Sequence, residues 1–331
     1  MRYILRSLIS CLALCATLAP AYAQQQVKIG MGYGLAFLPL YVCEDMKLIE
    51  KHGKEVHLDL RPSFQRFPGA VQMLAAVDAG EIDMGPFGAA PLLAAWQEDK
   101  GKPTQLFAVS GITTLPLTLL SNRPDEHSLA DIKAADRIAV PTLTSPQMFL
   151  LQLQSEKLFG GFDRLNDQVV ALPHAAAISA LVDNAGPVNA YFASPPFTEL
   201  ALRGANVHPL LTSSDVMNGK FSFLLMGATK AEIEAKPQLP EVIDKAIDEA
   251  ARIIHDDPRR AAQIYLTHEP SGAINGATME AVVRDIKDEF GSAVYGMQVM
   301  AEFMGRHGGL TTVPKTWKEI VAPSLLNSPS S

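Results

Sequence analysis

Three kinds of residue in this chain could hold a small molecule: glycines that uncover backbone N–H groups, hydroxyls in loops, and the side chains of Arg66 and His174. Gly30-Met-Gly-Tyr-Gly34 follows a short predicted strand. It is not a dinucleotide loop, because Leu35 stands where G-x-G-x-x-G needs its third glycine. It reads as a tight turn that brings a ligand to the backbone at Gly34 and Leu35, with Tyr33 and Phe37 as walls, though a plain turn explains the glycines equally well. Phe87-Gly88-Ala89 and Ser194-Pro195-Pro196 each sit just past a predicted strand's carboxyl end, where open α/β sheets bind ligands. Thr113, Thr114, Thr142, Thr144 and Ser145 occupy comparable loops, and their hydroxyls can donate to oxyanions. Ser145 also fits the N-cap of a helix opened by Pro146. His174 starts a helix and could touch a ligand. Arg66 could pair with an anion bidentately, although a solvated arginine fits as well.

Catalytic chemistry is not visible. The chain has no G-x-S-x-G, no H-E-x-x-H and no base near Cys43, and its histidines lack metal-ligand spacing. Asp256-Asp257 before Pro258 reads as a helix cap, and Met297, Met300 and Met304 fall at helical spacing and read as a core stripe. No cofactor and no metal are expected.

The elements that must position these residues are announced by a repeat. Ala75-Ala-Val-Asp-Ala-Gly-Glu-Ile-Asp83 reads as a helix, a glycine stop at Gly80 and a strand, followed by the small-residue loop at Gly88. Leu181-Val-Asp-Asn-Ala-Gly-Pro-Val-Asn189 does the same at Gly186, followed by the loop at Ser194. The repeat predicts two similar α/β lobes facing across a cleft. Strands are expected at 27–30, 56–60, 82–84, 106–110 and 117–121, then at 137–140, 169–172 and 221–226. Helices are expected at 36–52 (stopped by Gly53), 68–79, 89–96 and 146–158, with a helical remainder after Pro240. Alternation of this kind implies largely parallel sheets flanked by helices. The first lobe should take residues 24–120 and 215–331 and the second 121–214. Two crossings, near 115–123 and 210–221, then form a hinge.

The amino terminus carries Arg2 and Arg6, a short apolar stretch from Leu8 to Leu18, and Ala21-Tyr22-Ala23. This pattern reads as a secretory signal peptide over residues 1–23. Leu8-Ile9-Ser10-Cys11 resembles a lipobox, but almost no apolar stretch precedes it. Cys11 and Cys15 leave with the signal, so only Cys43 stays, and it reads as a buried core thiol. The formal charge is −7, and no stretch concentrates Lys or Arg among aromatics. Nucleic acid is therefore not an expected partner, whereas a small anion can still be held by helix N-termini.

Five phrases in order carry a family resemblance: Phe37-Leu-Pro-Leu-Tyr41 with Lys47-Leu-Ile-Glu-Lys-His-Gly53, Ala79-Gly-Glu-Ile-Asp83, Ser128-Leu-Ala-Asp-Ile-Lys133, Val188-Asn-Ala-Tyr-Phe-Ala-Ser-Pro-Pro196 and Val313-Pro-Lys-Thr-Trp317. Together they resemble the periplasmic substrate-binding proteins of the nitrate/sulfonate/taurine ABC-transporter family. The resemblance implies the two-lobed α/β fold of periplasmic binding proteins, a ligand in the interlobe cleft, and partners in a permease and its ATPase at the inner membrane. A monomer is expected. The same fold resembles hydroxymethylpyrimidine synthases, enzymes whose cysteine-rich motif is absent here. A ligand sensor for a membrane kinase is the remaining alternative.

Overall fold

A computed structural model describes residues 24–183, 187–270 and 274–326. The predicted signal peptide and Gly186 lie outside the described residues.

The chain first lays down β1 (Gln25–Met31), β2 (Leu60–Arg66), β3 (Met84–Phe87) and β4 (Leu106–Thr113). Between them come α1 (Leu38–Met46), α2 (Leu48–Glu55), α3 (Ala70–Asp78) and α4 (Ala89–Glu98). It then crosses into β5 (Thr118–Ser121), β6 (Arg137–Val140), β7 (Val169–Ala171), β8 (Val188–Ala193) and β9 (His208–Thr212). The helices of this part are α5 (Pro146–Phe159), α6 (His174–Val182), α7 (Phe197–Ala201) and, on the way back, α8 (Ser213–Met217). The return strand is β10 (Leu224–Thr229). It is followed by α9 (Lys230–Ala235), α10 (Leu239–Asp256), α11 (Pro258–His268), α12 (Gly276–Ile286) and α13 (Met297–Arg306).

Two five-stranded sheets result, ordered β2-β1-β3-β10-β4 and β7-β6-β8-β5-β9. In each sheet the fourth strand runs antiparallel to its neighbours and the others are parallel. That odd strand is in both cases the one by which the chain arrives from the other lobe. The strands after the repeated phrases, β3 and β8, both stand third. The repeat read in the sequence is thus the repeat of the architecture.

The crossings run between β4 and β5 and between β9 and β10, and they are tied to each other. Ser213 N–H donates to Leu117 O (2.7 Å), and Phe223 N–H donates to Thr113 O (2.9 Å). Thr118–Ser121 pairs in the second sheet, so that lobe begins ahead of Thr118 and not at residue 121.

Four local readings need correction. The helix expected over 36–52 is broken at Lys47, whose φ of 53° is left-handed; the break redirects Leu48 and Ile49 into the core. Gly53 does not stop that helix but lies inside α2, where a Cβ would stand 3.0 Å from Leu58 O and from the Leu60 side chain. The second strand is at 60–66 and not 56–60. It tolerates Pro62 because it is an edge strand, pairing only with β1. Phe87 closes β3 and is fully buried.

Three apolar clusters hold the layers together. One backs the first sheet beneath α1, α2 and α10 to α12. A small one lies under α6 in the second lobe. The third is common to both lobes, joining Leu92 and Leu106 to Ile138, Val140, Phe149 and Phe303.

Candidate functional site

The carboxyl ends of strands from both sheets open on one cavity of about 540 Å³, within the range of small-molecule sites. From the first lobe it receives the loop after β1 (Gly32, Tyr33, Phe37), the residues after β2 (Phe67 to Gln72) and Gly88 after β3. From the second it receives Pro141 to Gln147 after β6 and His174 after β7. Phe223 and Leu224, from the return crossing, form part of the wall.

Four helices begin at this cavity. Gly69 precedes α3 and Gly88 precedes α4, both with extended backbone. Ser145 caps α5, accepting from Met148 N–H (3.3 Å) while its hydroxyl donates to Thr142 O (2.7 Å). His174 is the first residue of α6. Each N-terminus presents the positive end of a helix dipole, and those of α3, α4 and α6 have no side-chain cap, whereas in α5 Pro146 has no N–H and Met148 N–H is taken by Ser145. No Asp, Glu, Lys or Arg lines the cavity among the described residues.

His174 is held against the second lobe, its ring stacked on Phe197 at 4.3 Å. Its Nδ1 is hydrogen-bonded to the Tyr191 hydroxyl. Tyr191 is fully buried and needs an acceptor, so the hydroxyl donates to Nδ1 and the ring proton sits on Nε2. Burial pushes the imidazole pKa down to about 4, so the ring is neutral at physiological pH. A histidine in this state offers one N–H to a ligand without adding charge.

The residues singled out in the sequence separate into distinct places. Tyr33, Phe37, Gly88, Ser145 and His174 line the cavity, as do Thr142 and Thr144. The other eight do not. Leu35 is a core residue, 1% exposed, and Phe87 is buried behind the strand. The Gly34 N–H is occupied by an internal carboxylate, donating to Glu269 Oε1 at 2.5 Å. That carboxylate also takes the Tyr41 hydroxyl. Arg66 is the last residue of β2 and not a loop residue. Its guanidinium donates to Tyr41 Oη (3.0 Å), lies 2.9 Å from His268 Nδ1, and sits over the Tyr33 ring. Thr113 and Thr114 fasten the first crossing: Thr113 Oγ1 donates to Glu289 O (2.8 Å) and Thr114 Oγ1 to Glu289 Oε2 (2.5 Å). Ser194 turns its carbonyl to Phe197 N–H (2.8 Å). Ser194 and Pro195 stand away from the main cavity. Next to them, Pro196 and Phe197 line a second interlobe cavity of about 470 Å³ with Tyr265 and Glu269.

The sequence reading missed Gly69, Gln72, Pro141, Gln147 and Phe223. Gly69 and Pro141 obey the strand-end rule used elsewhere. Gly69 escapes the reading because residues 56–60 alternate as a strand should, which puts the expected carboxyl end of β2 well before Pro68, whereas the strand runs over Leu60–Arg66. Phe223 carries no local signal, since a crossing reaches the cleft only through tertiary structure.

The NlpA lipoprotein family matches residues 38–169. The structure is similar to the periplasmic aliphatic sulphonate binding protein SsuA of Escherichia coli, with TM-score 0.70 and 18% identity over 93% of this chain and 94% of that one. It is also similar to the alkanesulfonate-binding protein SsuA of Xanthomonas axonopodis pv. citri bound to MOPS, with TM-score 0.65 and 19% identity over 90% and 96%. The periplasmic nitrate-binding protein NrtA of Synechocystis PCC 6803 gives TM-score 0.65 and 15% identity over 93% and 90%. The fold is that of a periplasmic binding protein. The structural likeness to the sulfonate and nitrate binding proteins extends over both lobes. No curated protein matches the chain by sequence. No group of His, Cys, Asp and Glu among the described residues could hold a metal ion, and no described helix is long and apolar enough to cross a membrane.

Proposed function

We propose that this chain is the solute-binding component of an ABC importer. It captures a small acid in the cleft between its two sheets and hands it to a permease served by an ATPase. The observation that carries this reading is the convergence of four helix N-termini, two from each lobe, on a cavity with no charged side chain among its described lining residues. An anion placed there gains N–H donors from both lobes, so its binding draws them together. No fixed counter-ion has to be desolvated, and release follows when the lobes separate. The sulfonate and nitrate binding proteins that share this fold handle ligands of that class. Exported by its amino-terminal signal, the protein works as a monomer in the periplasm.

The enzyme alternative rests on a cysteine-rich motif, and no cysteine lines the cleft among the described residues. Cys43, the one cysteine among the described residues, is 1% exposed in the core, donates to Ala246 O, and is pushed well above its ordinary pKa by burial.

The test is native mass spectrometry of whatever co-purifies, followed by a thermal-shift screen of nitrate, sulfonates, aromatic carboxylates and pyrimidines. A ligand present at a hundred times its Kd raises stability by about 2.7 kcal/mol. A screen in which no acid stabilises the protein, together with a co-purifying neutral compound, overturns the reading.

A further inference from the structure

We propose that Arg66 and Glu269 are positioning residues for the cleft. They grip the loop Gly32-Tyr33-Gly34 from behind, at its two ends and with opposite charges, and so hold Tyr33 as a fixed wall of the site. The inference rests on the reading of the cleft as an acid-binding site. The loop needs its glycines. A Cβ on Gly32 would stand 2.3 Å from the Phe37 ring, and Gly34 has a φ of 106°, in the left-handed region. Glycines also lose the most freedom on being ordered, so a loop built this way stays loose unless something holds it. Tyr33 lines the cleft and is 58% exposed, so burial alone does not fix its ring.

The restraint comes from two segments distant in sequence. At one end the Arg66 guanidinium donates to Gly32 O (3.4 Å) and lies over the Tyr33 ring, 5.4 Å from its centroid. At the other end the Gly34 N–H donates to Glu269 Oε1 (2.5 Å). Tyr41 joins the two grips into one unit. Arg66 Nη1 donates to Tyr41 Oη (3.0 Å), and the Tyr41 hydroxyl donates to Glu269 Oε1. The frame behind them is well packed. Tyr41 is fully buried, its ring is stacked on His268 at 4.5 Å, and His268 Nε2 lies 2.8 Å from Asp45 Oδ1. Neither Arg66 nor Glu269 lines the main cavity, and their charges compensate each other through the Tyr41 hydroxyl. They therefore act on a ligand through the loop. A ligand that meets this wall finds it already ordered, which spares binding the entropy of ordering it.

The experiment compares the wild type with Glu269→Ala, Glu269→Gln and Arg66→Met in two measurements. The first is amide hydrogen exchange in the ligand-free protein, with the amides of β1 as the report on general loosening. Relative to them, Gly34 should be protected in the wild type and exchange about tenfold faster or more in Glu269→Ala, which loses a hydrogen bond to a charged group. In Glu269→Gln, whose amide oxygen still accepts, most of the protection should remain. The second is titration calorimetry with whichever of nitrate, ethanesulfonate and benzoate binds the wild type most tightly. Glu269→Ala and Arg66→Met should each bind about tenfold more weakly, the cost of ordering one loop residue, and the loss should fall in the binding entropy. Glu269→Gln should recover most of it. A purely structural role predicts instead a lower melting temperature with affinity unchanged. Arg66→Met decides the matter if Glu269→Ala does not fold. Gly34 exchange as slow in Glu269→Ala as in the wild type, or unchanged affinity in Arg66→Met, overturns the positioning role and leaves acid capture in the cleft standing. A wild type that binds none of the three acids overturns the acid reading together with this one.

Discussion

Gly88 faces the start of α5 across the cleft. A Cβ built on it would lie 3.2 Å from Pro146 Cγ at the start of α5, 3.7 Å from Pro91 Cδ and 3.8 Å from Phe223 O. Its φ of −64° and ψ of 159° suit any residue, so a substitution brings no backbone strain. In Gly88→Leu the loss of a good N-cap costs about 1 kcal/mol. The reduced freedom of the unfolded chain returns about 0.4–1 kcal/mol. Stability should therefore stay within about 1 kcal/mol of the parent, a melting shift of about 4 °C or less. Binding should change far more. The leucyl group covers the α4 N-terminus and holds the α5 N-terminus away from it, removing two hydrogen bonds to a charged group at about 1.5–3 kcal/mol each. That loss is at least hundredfold in Kd, taking about 1.4 kcal/mol per decade. Gly88→Ala, which adds only the contact at 3.2 Å, should lose no more than about tenfold. The assay is calorimetry with the co-purifying ligand alongside a thermal melt. Unchanged affinity in Gly88→Leu, at the parental melting temperature, would show that the ligand does not sit between these helix ends.

Ligand should close the lobes about the two crossings, so small-angle scattering should report a smaller radius of gyration at saturation; an unchanged radius counts against closure. N-terminal sequencing of the exported protein should begin at Gln24, and a start at Met1 or a lipid-modified Cys11 would refute cleavage after Ala23. His174, with a folded pKa near 4 against about 6.5 unfolded, binds fewer protons when folded. Its contribution is complete above about pH 6.5 and is lost as pH falls toward 4, so His174→Phe should flatten the stability profile in that window. Asp244 acts in the opposite sense, because burial raises its carboxyl to about 6. Stability should fall as pH rises from about 4 to 6 and then level off, and Asp244→Asn should remove that fall in urea titrations.

What the sequence revealed was local, and what it hid was contact between distant segments. The repeated phrases located β3 and β8, because a helix, a glycine stop and a strand are written in adjacent residues. Ser145 was legible as a cap and His174 as a helix start for the same reason. Thr113 and Thr114 looked like donors to a ligand, but the acceptor they find is Glu289, about 175 residues further on. The N–H of Gly34 is taken by Glu269 across a separation of 235 residues. No spacing rule reaches that far. The β2 error had a different cause. Val56 to Leu60 alternates as a strand should, but the hydrophobic pattern cannot say that Pro62 is acceptable on an edge, and so it concealed where the strand ends.

The apolar cluster that α13 completes has a consequence for how the molecule is built and dismantled. Arg306 and His307 hold Glu156 of α5, and Phe303 packs on Phe149, so a carboxy-terminal segment of the chain roofs the second lobe as well as the first. Ile138 and Val140 of the second sheet share that cluster with Leu92 and Leu106 of the first. The second lobe consequently has no complete interior of its own. Synthesised from the amino terminus, it must wait with α5 uncovered until residues beyond 297 arrive, a vulnerable interval for an exported chain. Once assembled, the two lobes belong to one cooperative unit. They should melt in a single transition, and an isolated fragment covering the second lobe should aggregate and not fold.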